Sequence, residues 1–361
     1  MPRALVVALL AVTLSSVGCG ADDGGASSSQ PKPSVSPLAS TTVACALPDD
    51  APAMTPVPVT GFVRRIAIDG DSPWLAMRGG LLVQLDGACR LPVTNVDVGT
   101  ALYPRREMGE IADFVSVEGG EAGTIWAVVA LLDEQSGSPK RTDLVRVNLD
   151  TLVVTPLLQL AAIGYSRTST GLAVSGSHVW VADAERAGSV SRLDPASGSI
   201  VATIETQPTS SSQEIAVDGS GRLWTTDDGA TLYQTAPGET TRSVIAGEPL
   251  PGSAISDIAI SDSALWVVTF DQTASWLVAL DLADVTHRTV REGLSVRALS
   301  KTGDEMWAVT NGPVADLIRL SSPDSAPTRR VPISVNILST IAANGVVWVV
   351  VADGLVYTVP E

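Results

Sequence analysis

Apolar and polar positions alternate along most of this chain in short runs, and seven of those runs end in the same way. The segments RRIAIDGDSPW, FVSVEGGEAGTIW, GLAVSGSHVW, EIAVDGSGRLW, DIAISDSALW, RALSKTGDEMW and STIAANGVVW each carry a period-two stretch, a turn-forming cluster, and then Trp among small or β-branched neighbours. Period two is the signature of a strand, and Gly, Asp or Ser between two such runs marks a hairpin turn. A second paired signal follows the first six Trp. It is clearest as DLVRVNLDTLVVTPLLQL and SVSRLDPASGSIVATIE, and it recurs as LLVQLDGACRLPVTNVDV, TLYQTAPGETTRSVIAG, WLVALDLADVTHRTVREG and LIRLSSPDSAPTRRVPIS. Each of these again reads as strand, turn, strand.

The seven Trp, at 74, 126, 180, 224, 266, 307 and 348, are spaced by 52, 54, 44, 42, 41 and 41 residues. Four strands per unit of that length is the period of a β-propeller blade. Residues 55–361 are therefore expected to form an all-β, seven-bladed propeller of four-stranded blades, with each Trp at the start of a second strand, filling the wedge between neighbouring blades. Trp276 falls outside this register. The last unit ends at LVYTVPE and lacks a fourth strand. TPVPVT (Thr55–Thr60) precedes the first repeat much as TRRVPIS (Thr328–Ser334) precedes the seventh, so the N-terminal segment is expected to supply the missing strand and close the ring.

The N-terminus has a different character. Arg3 is followed by the apolar run Ala4–Leu14, which at eleven residues is too short for a stable membrane span and reads as an export signal. The sequence Ser16-Val17-Gly18-Cys19 resembles the lipobox of bacterial lipoproteins, departing from it at Ser16, where Leu, Val or Ile is usual. The resemblance implies a signal peptide over 1–18 and palmitate-type acylation of Cys19; ordinary secretion with cleavage nearby is the alternative. Residues 20–44 are mostly Gly, Ser, Ala, Pro and Thr and cannot bury enough apolar surface to fold, so 19–54 reads as lipidated Cys plus flexible tether, reaching on the order of 25 to 30 Å. Export into an oxidising compartment would allow a disulfide between Cys45 and Cys89, with a loop-closure contribution of roughly 4 kcal/mol. Two buried free thiols are the other reading.

The repeat units resemble those of the streptogramin (virginiamycin B) lyase-like and YVTN propeller groups, most clearly in GLAVSGSHVWVADAERAGSVSRLDPASGSIVATIE. The matching residues are framework residues and carry no activity with them. The lyase resemblance implies metal-assisted elimination by His and Glu around the channel. This chain has two His. His178 is expected in a turn on the face opposite the usual binding mouth and His287 on an outer strand, so no catalytic residue is carried over. No Cys/His cluster suggests a metal, and neither a G-x-S-x-G elbow nor a P-loop is present. The pairs Asp69-Gly70, Asp218-Gly219 and Asp353-Gly354 could suggest calcium, but hairpin turns call for the same residues.

Composition then narrows the partners. With 39 Asp+Glu against 23 Lys+Arg the formal charge is −16, which argues against phosphate-rich partners such as nucleic acid. Alignment of the units on their Ile-Ala-Val cores places Arg65, Phe114, Gly171, Glu214, Asp257, Arg297 and Thr340 just before each core, at the channel mouth. Carboxylates on consecutive blades, with Arg65 and Arg297 flanking the seventh, would make a dipolar mouth for a polar or zwitterionic ligand or a peptide end. Ion pairing across the mouth is the plainer reading. Asp183, Asp227, Asp271, Asn311 and Asp353 would extend the rim or simply sit in solvated loops. The expected protein is an envelope lipoprotein, lipid-anchored on the extracytoplasmic face of a cell membrane, whose propeller is a non-catalytic binding or protein-interaction scaffold. It would be monomeric and without cofactor, and its partner an envelope protein or polar small ligand. The alternative is a metal-assisted lyase- or lactonase-like enzyme using carboxylates at the mouth.

Overall fold

The computed structural model describes residues 54–360 apart from 71, 87–89, 122, 161–170, 184–188, 207–213, 227–228, 246–248, 287, 293, 295, 303–304, 311–314, 323–325, 334–336 and 344. Cys19, Cys45, Cys89 and His287, and with them the expected signal peptide, tether and disulfide, lie outside the described residues.

Twenty-eight strands form seven antiparallel sheets of four. Blades 1 to 6 are consecutive meanders covering 63–97, 110–160, 172–205, 215–244, 254–292 and 296–333. Blade 7 takes its three inner strands from 337–360 and its outermost from Thr55–Pro56, paired Thr55 to Thr358 and Pro56 to Tyr357. The first strands neighbour one another in sequence, and that of blade 7 lies beside that of blade 1, so the ring is closed. The closing strand is shorter than TPVPVT suggested. Val57 still donates to Val356 O at 2.8 Å. Because N–H directions alternate along a strand, Pro56 and Pro58 then stand where an N–H would face outward, and this edge offers no donors to another strand.

Two-sided burial explains why the second strands read as unbroken apolar runs such as ALWVVTF. Trp74 packs toward blade 2 with Ala76, while the intervening Leu75 packs toward blade 7. The buried residues group into seven clusters, one per blade junction, and each holds one of the seven Trp, none more than 2% exposed. The residue opposite each Trp on the first strand is Ala in blades 1, 3, 4 and 5, which leaves room for the indole near the axis. Trp276 is half-buried in the junction of blades 4 and 5.

Arginines tie adjacent blades at their outer turns. Arg146 donates to Pro195 O, Arg222 to Leu282 O and Arg291 to Ser322 O, each reaching the following blade. On the same face the Asp69 carboxylate accepts from Gly123 N at 2.8 Å, so this Asp-Gly turn is a blade-to-blade contact. Gly70 and Gly354 have positive φ, as a turn role requires, whereas Asp218 accepts from Ser220 N and Arg222 N within its own turn. Among the described residues no helix is long and apolar enough to cross a membrane.

Candidate functional site at the channel mouth

The first strand of each blade is entered from the mouth face and leaves toward the opposite face, so its opening residues surround the mouth of the central channel. A β-bulge interrupts the first strand in blades 1, 2, 5, 6 and 7, leaving Arg64, Val115, Ser256, Arg297 and Leu338 unpaired with the second strand. Bulges re-aim side chains at sheet rims, and here each falls three residues before the residue opposite its Trp.

Taking the residue opposite each Trp as origin, the position two earlier is Arg65, Ser116, Gly171, Glu214, Asp257, Ala298 and Ser339. Arg65, Gly171, Glu214 and Asp257 therefore share one level, as the repeat alignment implied. Three others do not. Arg297 occupies the bulge and is the counterpart of Arg64. Phe114 lies two residues before its level and is buried in the junction of blades 1 and 2. Thr340 lies one residue late, opposite Val349. The sequence alignment slipped because blades 2, 6 and 7 lack an Ile-Ala-Val core; in blade 7 the Ile-Ala pair falls one residue later than in blade 1, so that Ile341, and not Ala342, stands opposite Trp348.

Asp257 is the best-defined of the mouth carboxylates. It reaches the first strand of blade 6 and accepts from Leu299 N at 2.7 Å, capping an N–H on the channel-lining edge of that sheet. Desolvation, and next the charge of Glu214 on the neighbouring blade, push its carboxyl well above the ordinary aspartate range. Glu214 is placed by reciprocal bonds with the second strand of its own blade: its N–H donates to Thr226 Oγ1 and its carbonyl accepts from Thr226 N, both at 3.1 Å. The two carboxylates thus sit on adjacent blades, close enough to disfavour double ionisation. A cation or a shared proton would relieve that repulsion.

The cationic side is built from Arg64 and Arg65. Arg64 Nε donates to the buried Asp113 of blade 2 at 2.9 Å, and its guanidinium lies 4.7 Å from the Phe62 ring centre. Arg65 Nη1 donates to Arg64 O at 3.1 Å. The Arg64–Asp113 pair escaped the sequence reading, although the Arg-Arg doublet before the first core was a visible sign. Ion pairing at the rim thus accounts for Arg64 directly.

Glu118 was also missed. It stands opposite Trp126, where the other blades place Ala67, Ala173, Ala216, Ala259, Ser300 and Ile341. Desolvation on this channel-lining strand raises its carboxyl to about 7. Comparing the seven units position by position would have exposed it as the one ionisable residue at that level.

The outer rim residues are occupied locally where they are described. Asp271 accepts from Thr273 N at 2.7 Å and Ala274 N at 2.8 Å, which holds its carboxyl below the usual range, and Asp353 accepts from Leu355 N at 3.2 Å. Asp227 and Asn311 lie outside the described residues. His178 is half-buried at the start of the second strand of blade 3 rather than in the turn before it, at the face opposite the mouth, against Gly221 of blade 4, where an added Cβ would come within 2.5 Å of the imidazole. Among the described residues no group of three His, Cys, Asp or Glu is placed to hold a metal ion.

Solved structures share this architecture at low sequence identity. A crystal structure of the mitotic checkpoint complex matches with TM-score 0.60 at 11% identity, covering 90% of this chain and 96% of that one. A catalytically inactive histidine-to-alanine variant of virginiamycin B lyase from Staphylococcus aureus, with quinupristin, matches with TM-score 0.62 at 13% identity, covering 85% and 99%. YCF48 from Cyanidioschyzon merolae matches with TM-score 0.57 at 13% identity, covering 86% and 99%. No protein-family model and no curated protein sequence matches the chain. These likenesses establish the seven-bladed fold and leave the activity to the site.

Proposed function

We propose that this chain is a lipid-anchored binding scaffold of the cell envelope, tethered through Cys19, whose channel mouth takes a polar partner with a cationic end. The observation that carries the reading is the pair Glu214 and Asp257, two carboxylates on adjacent blades at one level of the mouth, Asp257 being driven toward its protonated form by desolvation and next by the charge of Glu214. Arg64 and Arg65 lie at the same end of the channel on blade 1. A ligand ammonium placed between the carboxylates would offset their mutual repulsion, and a ligand carboxylate would meet the arginine side. A peptide N-terminus or a zwitterionic small molecule has that chemistry.

Chemical crosslinking from intact cells tests the mouth. Glu214→Lys with Asp257→Lys is expected to abolish capture of the envelope partner, and unchanged capture would remove the mouth as the site. The anchor is tested separately. Cys19→Ser is expected to move the protein from the membrane fraction to the soluble extracytoplasmic fraction, and retention on the membrane would sink the lipoprotein reading.

The likeness to a lyase favours a second reading, in which mouth carboxylates hold a divalent cation for elimination. His178 lies on the face away from the mouth, so among the described residues that chemistry would rest on carboxylates. A melting temperature that rises with calcium or magnesium and falls with EDTA would favour it over the scaffold.

A further inference from the structure

We infer that the loop 104–109, raised on blade 2 above the mouth face, is a docking element for a partner protein with an acidic surface and an apolar pocket that receives Met108. The inference rests on the reading of the propeller as an interaction scaffold, and it places a contact beside the channel rather than within it.

Blade 2 is taller than the others. Its first three strands, Glu110–Gly119, Thr124–Asp133 and Pro139–Asn148, have ten residues each, whereas the second strands of the other blades have four to seven. Trp126 is the third residue of its strand, as Trp74 is, so the additional residues all lie at the mouth end. Three or four extra residues at about 3.3 Å each lift this hairpin roughly 10 Å above the rim.

The loop is fixed to the top of that hairpin. Glu134 N donates to Gly109 O at 2.7 Å, Glu107 N donates to Glu110 Oε2 at 2.8 Å, and Lys140 Nζ pairs with Glu110 Oε1 at 2.7 Å. At its other end the loop leaves a short helix, Val98–Leu102, through Tyr103. The buried Tyr103 hydroxyl donates to Asp143 Oδ2 at 2.8 Å, and the same carboxylate, 2% exposed, accepts two bonds from Arg141 at 2.7 and 2.8 Å. Desolvation and Asp143 both push the Tyr103 hydroxyl above its ordinary range, so it stays a donor. A connector that only had to span two blades would need no such buried network. These bonds tie both ends of the loop before any partner arrives, which lowers the ordering cost of binding.

What the loop presents is unusual for this chain. Pro104 to Gly109 are all exposed, and Met108 projects fully into solvent. Among the described residues the guanidinium groups of Arg105 and Arg106 make no ion pair or hydrogen bond, although Arg106 N donates to Tyr103 O at 3.3 Å, whereas Arg78, Lys140 and Arg141 nearby are each paired with an acid. The whole chain carries −16, which would repel an acidic surface at the rim. A rise of roughly 10 Å exceeds the screening length of about 8 Å at physiological salt, so a partner meets the two guanidinium groups largely apart from that field. One flexible thioether then supplies an anchor able to fit an irregular apolar pocket. The same loop has a single large apolar side chain and carries Glu107 between its cations and Met108, which disfavours a lipid surface.

The test uses the full chain in its own cells, with a photoreactive benzoylphenylalanine at position 108 and, as control, at Val244, an exposed residue of the outer strand of blade 4. A protein adduct at 108, absent at 244 and identified by mass spectrometry, should fall at least about tenfold with Arg105→Glu and Arg106→Glu. Replacing the acids of the adduct's contact site by Lys should then restore it to the charge-reversed chain. The adduct should survive Glu214→Lys with Asp257→Lys, which separates this element from the mouth; loss of the adduct in those mouth variants would overturn it as a distinct surface. No adduct above the control, an adduct to lipid or to a second copy of this chain, or an adduct indifferent to charge reversal would each overturn it as well. Arg105, Arg106, Met108 and Val244 are exposed while Glu214 and Asp257 are half-buried, so circular dichroism melts of every variant are compared with the wild type, and only variants that melt as the wild type does are scored.

Discussion

Replacing Glu118 by Ala should stabilise the propeller, and should do so only at higher pH. The residue faces Trp126 at a level where four of the other six blades carry Ala. Its carboxyl is raised by desolvation from the ordinary 4.5 to about 7. A folded-state value above the unfolded one means that the native chain holds a proton the unfolded chain has lost. Between pH 4.5 and 7 stability therefore declines as pH rises, and above 7 the whole penalty is present. A shift of that size corresponds to about 3 kcal/mol; channel water brings the expected figure to about 1 to 3 kcal/mol. For a domain of this size that is a rise of roughly 2 to 8 °C in Tm at pH 8. Near pH 4.5 the carboxyl is neutral in both states and the variant should gain little. The assay is thermal melting of wild type and Glu118→Ala across pH 4.5 to 8. Asp257 is shifted in the same direction, so the variant should keep a residual slope. A variant that melts lower at pH 8, or whose gain is the same at every pH, would refute the desolvation argument.

Two further outcomes follow from the packing. Trp224→Ala removes a fully buried indole from the junction of blades 4 and 5 and should cost roughly 3 to 5 kcal/mol in urea unfolding, while leaving partner capture at the mouth unchanged. Arg64→Leu removes the counter-charge of the buried Asp113 carboxylate, which keeps its bond from Phe114 N, and should cost about 3 to 5 kcal/mol, whereas Arg64→Leu with Asp113→Leu should recover most of it; a double variant no better than the single one would show that the pair contributes more than mutual neutralisation.

Blade number, strand order and ring closure could be read from the chain because each rests on a local pattern that recurs. The Trp marks the second strand by its size, and its regular return counts the junctions. Even the closing strand was visible, as a TPVPVT segment with no partner in its own blade. Its paired length was not, since two prolines leave only part of the segment able to enter the ladder. The mouth was legible in part. Arg65, Gly171, Glu214 and Asp257 fell at the same level because blades 1, 3, 4 and 5 keep a recognisable core. Arg297, Phe114 and Thr340 slipped because blades 2, 6 and 7 keep no Ile-Ala-Val core to fix the register, and the apolar alternation alone fits equally well one or two residues away.

The residues that escaped the repeat share a physical property. In a ring of equivalent blades, any side chain that packs into a junction must suit two neighbours, so those positions converge on Trp, Ala and branched aliphatics. A position can diverge only where it meets solvent, the channel or a blade of different height. Glu118, the Arg64–Asp113 pair and the loop 104–109 all diverge, and all belong to blade 2 or to its contact with blade 1. The extra length of the blade 2 strands supplies that freedom, since its upper residues, Ala130 to Asp133 and Pro139 to Arg141, rise beyond the second strands of the other blades. They are packed instead by the short helix and Tyr103, a support that no other described blade has. Departure from the repeat on one side of the ring makes the mouth face asymmetric, with anionic blades 4 and 5 across the channel from a raised, arginine-bearing edge. A partner on either feature therefore meets a rim whose blades are not interchangeable and is held in one orientation about the sevenfold pseudo-axis, which a symmetric rim could not enforce.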